Sequence, residues 1–186
     1  MDTIKIISGN NEEEIWQQVT ADFAADEDLL EYNVVLHQGN RQVLLDIDID
    51  PGGGFESGYE FTRLTAAVQK KNDFRFSIYH EGFIDKMGKF LGMEDVITGY
   101  PEFDEVLIVK TNDAEKVKAV FSDSSVRATF QAMTDFKLHI THHHPKDGET
   151  NDTFLELEIQ VGITDSAELR AIYHAFWQVL ILIDSE

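Results

Sequence analysis

The chain has 186 residues, with 15 Lys+Arg against 35 Asp+Glu for a formal charge of −20, 42% hydrophobic residues and no cysteine. That length and apolar fraction point to one globular domain, while the charge repels phosphate backbones and anionic lipid, so nucleic acid and a bare membrane surface are excluded as expected partners. Without cysteine there is no disulfide, no thiolate nucleophile and no Cys-ligated zinc or iron–sulfur site.

The start of the chain has no basic flank followed by an apolar run, and the longest apolar run, Val179 to Ile183, falls far short of the ~20 residues that cross a bilayer, so a cytoplasmic protein is expected. A short strand over Thr3 to Ser8 leads to Asn11-Glu12-Glu13-Glu14, where Asn11 can cap a helix and Glu14 can reach back to it. Ile15, Trp16, Val19 and Phe23 then make one stripe at helical period. Gly39-Asn40 between two alternating runs reads as a two-residue hairpin turn. Counting outward pairs Gln38 with Arg41, Leu36 with Val43, Val34 with Leu45, Tyr32 with Ile47 and Leu30 with Ile49, leaving one apolar face and one polar face. A second hairpin is expected to place Val68 against Phe74, Ala66 against Phe76 and Leu64 against Ile78.

Phe83, Ile84, Met87, Phe90 and Leu91 have helical spacing, closed by Gly92. Phe103 to Thr111 reads as a buried strand, followed by a capping box at Asn112 to Glu115, a helix through Val117, Val120 and Phe121, and another carrying Val126, Phe130 and Met133. Phe136, Leu138 and Ile140 alternate in a strand whose partner is Leu155, Leu157, Ile159 and Val161. The last helix opens at Asp165 and runs to about Ile183 with Leu169, Ile172, Phe176, Val179, Leu180 and Ile183 on one stripe. The fold class is therefore α+β, antiparallel hairpins packed against amphipathic helices, as a single domain over residues 1–186. The sub-halves 1–97 and 98–186 each hold strands and an amphipathic helix, which suggests a duplicated unit.

Two clusters could carry chemistry. Strand alternation puts Asp46, Asp48 and Asp50 on one face at spacings of about 6–7 Å, where a hard cation such as Ca²⁺ would relieve their repulsion, with Glu31 or Glu56 completing the shell. The competing reading is a solvated sheet face neutralised by Arg63 and Arg75. In the run His139 to His144, His142 and His144 share a face at a spacing that lets two imidazoles hold Zn²⁺. Against this stands a strand end entering an exposed turn, with His139 and His143 facing Glu156 and Glu158. Gly52-Gly53-Gly54 lacks the pattern and the basic residue of a phosphate loop, and no nucleophile motif stands out, so no catalytic residue is assigned.

The stretch Gly99-Tyr100-Pro101-Glu102-Phe103-Asp104-Glu105-Val106-Leu107-Ile108-Val109-Lys110-Thr111, with the helix after it, resembles a segment in bacterial families of unknown function. In those, Gly-Asp-x-x-Phe-Asp opens into a buried strand, a helix and a hairpin with a closing helix; Tyr100 stands here where that pattern has an acidic residue. The resemblance covers the second half of the chain, implies a bacterial α+β protein and brings no catalytic residue. Together these readings favour a non-enzymatic acidic binding module without cofactor. Its expected partner is a protein with a basic surface, or a second copy docking through Ile181 and Leu182 of the C-terminal helix. The alternative is a metal-dependent enzyme using the Asp ladder or the His cluster.

Overall fold

Alternation of apolar and polar residues sets the strands of the computed structural model, which describes residues 4–26, 28–53, 57–69, 73–80, 92–143 and 152–185, with backbone alone for 142, 143 and 152. Strand β1 (Lys5–Gly9) leads into helix α1 (Glu12–Ala25). The Asn11 side chain accepts the Glu14 N–H at 3.0 Å, and the Glu14 carboxylate reaches the backbone N–H of Asn10 at 2.8 Å, one residue before the cap. β2 (Glu31–Gln38) and β3 (Arg41–Asp50) form the expected hairpin in the expected register, turning at Gly39 with φ +61°. Only the outermost pair departs: the Ile49 N–H reaches the Leu30 carbonyl at 2.7 Å, but Leu30 is 50% exposed and Leu29 is buried instead, because the strand ends at Glu31 and its alternation with it.

β4 (Tyr59–Ala67) pairs with β3, but the expected second hairpin is absent. The other neighbour of β4 is β9 (Asp152–Ile159), which with β8 (Phe136–His143) forms the expected third hairpin, and this hairpin lies between β4 and β5 (Phe76–His80). Leu64 and Ala66 therefore face Leu157 and Leu155, while Ile78 faces Leu138. The apolar alternation of 155–159 offers β4 the same inner face as 74–78, and the eight-residue β9 gives it a longer ladder than the five-residue β5 can.

The remaining elements are β6 (Glu94–Asp95), α2 (Pro101–Asp104), β7 (Leu107–Thr111), α3 (Ala114–Val120), α4 (Ser124–Ala132) and α5 (Ser166–Ser185). The strand expected from Phe103 begins only at Leu107, since Pro101 suits a first helical position and starts a turn of helix. The α3 cap is Asp113, not Asn112, and it accepts the Lys116 N–H at 3.0 Å. Asn112 instead holds the approach to β5, accepting from the Arg75 N–H at 2.8 Å and donating to the Asp73 carbonyl at 2.7 Å. The helix expected over 83–91 lies outside the described residues.

All nine described strands belong to one sheet of order β1-β2-β3-β4-β9-β8-β5-β7-β6, so strands of residues 1–97 and 98–186 interleave and the sub-halves do not separate. β1 runs parallel to β2, and the other ladders are antiparallel. On the inner face Val34, Leu45, Leu64, Leu157, Leu138, Ile78 and Val109 stand side by side across seven strands, each at most 2% exposed. The buried residues of α1 to α5 join the same core, so the described helices cover this one face. The α5 stripe is buried as expected; Trp177 and Leu182 also pack against the core, which explains the broad apolar girth of this helix. Phe176 is fully buried in α5. Phe176→Ala should cost about 3–5 kcal/mol in chemical denaturation, and a loss below about 1 kcal/mol would contradict its place in the core.

Candidate functional site: the outer face of the sheet

Residues one position along from the core rows point to the opposite face, where none of the described helices packs. There Asn33, Asp46, Arg63, Glu158, Lys137 and Tyr79 stand in register across six strands. Cross-strand neighbours at this spacing interact, and Asp46, Arg63, Glu158 and Lys137 alternate in sign. The next row runs Val35, Leu44, Thr65, Glu156, His139, Ser77 and Lys110.

The Asp ladder lies on this face, and each carboxylate has its own partner. Asp46 pairs with Arg63 at 2.8 Å, Asp48 accepts the Tyr59 hydroxyl at 2.9 Å, and Asp50 accepts the Gly52 N–H at 2.8 Å. The neutralising role expected of Arg63 is therefore met at Asp46. Arg75 is not part of it, because β8 and β9 separate its segment from β4. Arg63 also lies over the Phe61 ring, 5.1 Å from its centroid, and Phe61 stacks on Tyr59 with centroids 6.5 Å apart and planes at 12°. Hydrogen bonding to Asp48 is the main cause that raises the Tyr59 pKa above its ordinary value, and the charges of Asp48, Asp50 and Glu31 add to it. The β9 ladder stops at Thr62, so Tyr59 to Phe61 pair with β3 alone, and a cleft of about 650 Å³ opens beside them over Glu158 and Gln160. The spacing Tyr-x-Phe-x-Arg at residues 59–63 was the available signal for this row, but the expected second hairpin set it opposite the wrong strand.

His139 is not at an exposed strand end as expected; its side chain and that of Glu156 are each 14% exposed, with Nε2 to Oε1 at 3.8 Å. Opposite Glu158 stands Lys137 rather than His143, whose backbone pairs with Asp152. Burial pushes the His139 pKa down to about 4, helped by the Lys137 charge. Burial likewise pushes Glu156 up to about 7, reinforced by a hydrogen bond with Glu158 and by its charge. At weakly acidic pH the 3.8 Å approach is thus one between neutral groups. Beside His139, Ser77 is fully buried, and neither its Oγ nor His139 Nδ1 has a hydrogen-bond partner among the described residues. The order carboxylate, imidazole, hydroxyl is that of a nucleophilic triad, but a hydroxyl with no exposure cannot meet a substrate. No sequence spacing links residues 77, 139 and 156; only the inserted hairpin does.

Among the described residues no group of three or more His, Asp or Glu side chains is placed to hold a metal ion. His142 is placed on β8 by its backbone, opposite Thr153, while His144 and Glu56 lie outside the described residues. No described helix is long and apolar enough to cross a membrane.

The polar residues of the Gly99 to Thr111 segment serve structure. The Asp104 carboxylate accepts from the Thr98 N–H, the Thr98 hydroxyl and the Gly99 N–H at 2.8–2.9 Å. Tyr100 lies 3.8 Å from the guanidinium of Arg127. That guanidinium is otherwise paired with Glu102 and donates to the Phe121 and Ser122 carbonyls at the end of α3, where a cation suits the helix dipole.

No family model matches the chain, and no curated protein matches it. Among solved structures the chain is similar to the mycobacterial trehalose monomycolate transport factor A, at 10% identity and a TM-score of 0.39, over 77% of this chain and 74% of that one.

The His139 and Glu156 shifts have opposite consequences for stability. Between about pH 4.5 and 6.5 the folded protein holds a proton on Glu156 and none on His139, whereas the unfolded chain does the reverse, so the proton counts match and the slopes cancel. Glu156→Gln leaves His139, and stability relative to the parent should rise with pH from about 4.5 to 7, because the variant lacks the loss that comes from a carboxyl protonated only in the folded state. His139→Asn leaves Glu156, and stability relative to the parent should fall as pH rises from about 4 to 6.5, because the variant lacks the gain that comes from a histidine protonated only in the unfolded chain. Urea denaturation of the three proteins across this range measures both slopes; variants that track the parent would contradict the pairing.

Proposed function

We propose that the protein is a non-enzymatic binding module that docks a basic segment of a partner protein on the outer face of its sheet, opposite the described helices. The observation that carries this reading is the distribution of charge over that face. Asp46 is matched by Arg63, and Glu158 stands between Arg63 and Lys137. Glu31 and Asp48 face each other across β2 and β3, and Asp50 follows on the same side; none of the three pairs with Lys or Arg among the described residues. An unmatched negative corner on a protein of charge −20 steers cationic surfaces toward it and rejects anionic ones. A second cleft of about 460 Å³ on this face, lined by Val35, Leu44, Ala67 and Phe154 among others, supplies apolar contact.

The test is an NMR shift titration with a short peptide of alternating arginine and serine. The reading predicts shifts clustered on β3 and β4, weakened by raised salt and by Asp48→Asn. Shifts spread evenly over the helical side would overturn it, since a chain this acidic attracts cations everywhere unless one face is built for them.

A further inference from the structure

Arg63, Phe61 and Tyr59 occupy successive outward positions on β4 and form one stack: a guanidinium over the first ring, and that ring parallel to the second. The Arg63 end is closed, because Asp46 directly opposite on β3 pairs with the guanidinium. The Tyr59 end is open. Tyr59 is 53% exposed, its hydroxyl is fixed by Asp48, and Asp50 stands opposite it in register. Asp48, Asp50 and Glu31 are the charges that act on it, and no described cation answers them.

Resting on the reading above, we propose that this corner is the recognition site for an arginine side chain of the partner segment, which stacks on Tyr59 and pairs with Asp48 and Asp50. The chain's own Arg63 shows the chemistry the face accepts: an aromatic ring beneath the cation and a β3 carboxylate beside it. A planar guanidinium can stack and donate to two carboxylates at once, which an ammonium cannot, so arginine is preferred over lysine. Because β9 does not cover Tyr59 to Phe61, the cleft beside them leaves room for the segment that carries the arginine.

The test compares three peptides on the intact chain by NMR titration: alternating arginine and serine, the same with lysine, and the same with citrulline, the uncharged analogue of arginine. The parent should rank arginine above lysine above citrulline, with shifts strongest over 46–50 and 59–61. Tyr59→Ala should weaken the arginine peptide by about twofold to fivefold and abolish its advantage over lysine, while Tyr59→Phe, which keeps the ring, should retain both. Tyr59 is exposed, so its truncation leaves the core intact; Asp50→Asn should weaken binding without touching the aromatic stack. If Tyr59→Ala changes neither affinity nor preference while shifts stay on the outer face of the sheet, the arginine site is wrong and the broader reading stands. If shifts fall elsewhere, both are wrong.

Discussion

One constraint governs this molecule: alternating side chains along each strand commit one face of a sheet of nine described strands to the described helices and leave the other without them. The inner row from Val34 to Val109 buries against a single helical layer, and hydrophobic burial there supplies the main stabilisation of the fold. On the other face the described charged and titratable residues meet mainly across strands. Asp46, Arg63, Glu158 and Lys137 do so with alternating charge, and Glu156 and His139 while uncharged at weakly acidic pH. The corner at Glu31, Asp48 and Asp50 is left negative.

That corner exists because two ladders end at different places. β3 and β4 pair out to Asp50 and Tyr59, whereas β9 leaves β4 at Thr62 to enter the connection to α5. Thr62 marks the departure, its hydroxyl accepting from the Ile163 N–H at 2.9 Å and donating to the Val161 carbonyl at 2.8 Å. Gly162 has no space for a side chain there: a Cβ would lie 2.3 Å from Ile49 Cγ1. The close passage of this connection under β3 fixes where β9 stops, and so how far Tyr59 and Phe61 stand free. The link from sequence to binding surface therefore runs through a packing requirement on the buried side.

Local signals in the sequence were sufficient wherever the structure is local. The β2–β3 register follows from Gly39 and strict alternation, the α1 cap from Asn11, and the α5 stripe from its helical period. Pairing between strands distant in sequence was not legible, because residues 74–78 and 155–159 present the same apolar alternation to β4 and only the whole sheet chooses between them. The candidate site inherits that limit. The Asp ladder could be placed on one face from spacing alone, but the neighbours of β4, and with them Glu156, Glu158, His139 and Ser77, depend on the inserted hairpin. Nothing local to Tyr59 and Phe61 marks them, because what sets them apart is where β9 ends. In the Gly99 to Thr111 segment, the guanidinium of Arg127 lies against the Tyr100 ring, a contact no local spacing signals.

A binding face of this kind requires negative potential to be concentrated at the outer corner of β3 and β4 rather than spread with the net charge. Paramagnetic relaxation of amide protons by a cationic and an anionic cosolute of the same shape measures that potential residue by residue. The account predicts that the cation's advantage over the anion is largest at residues 46–50 and 59–61, exceeding that at the exposed positions of α1 and α3. An equal or smaller advantage there than over the helices would contradict it.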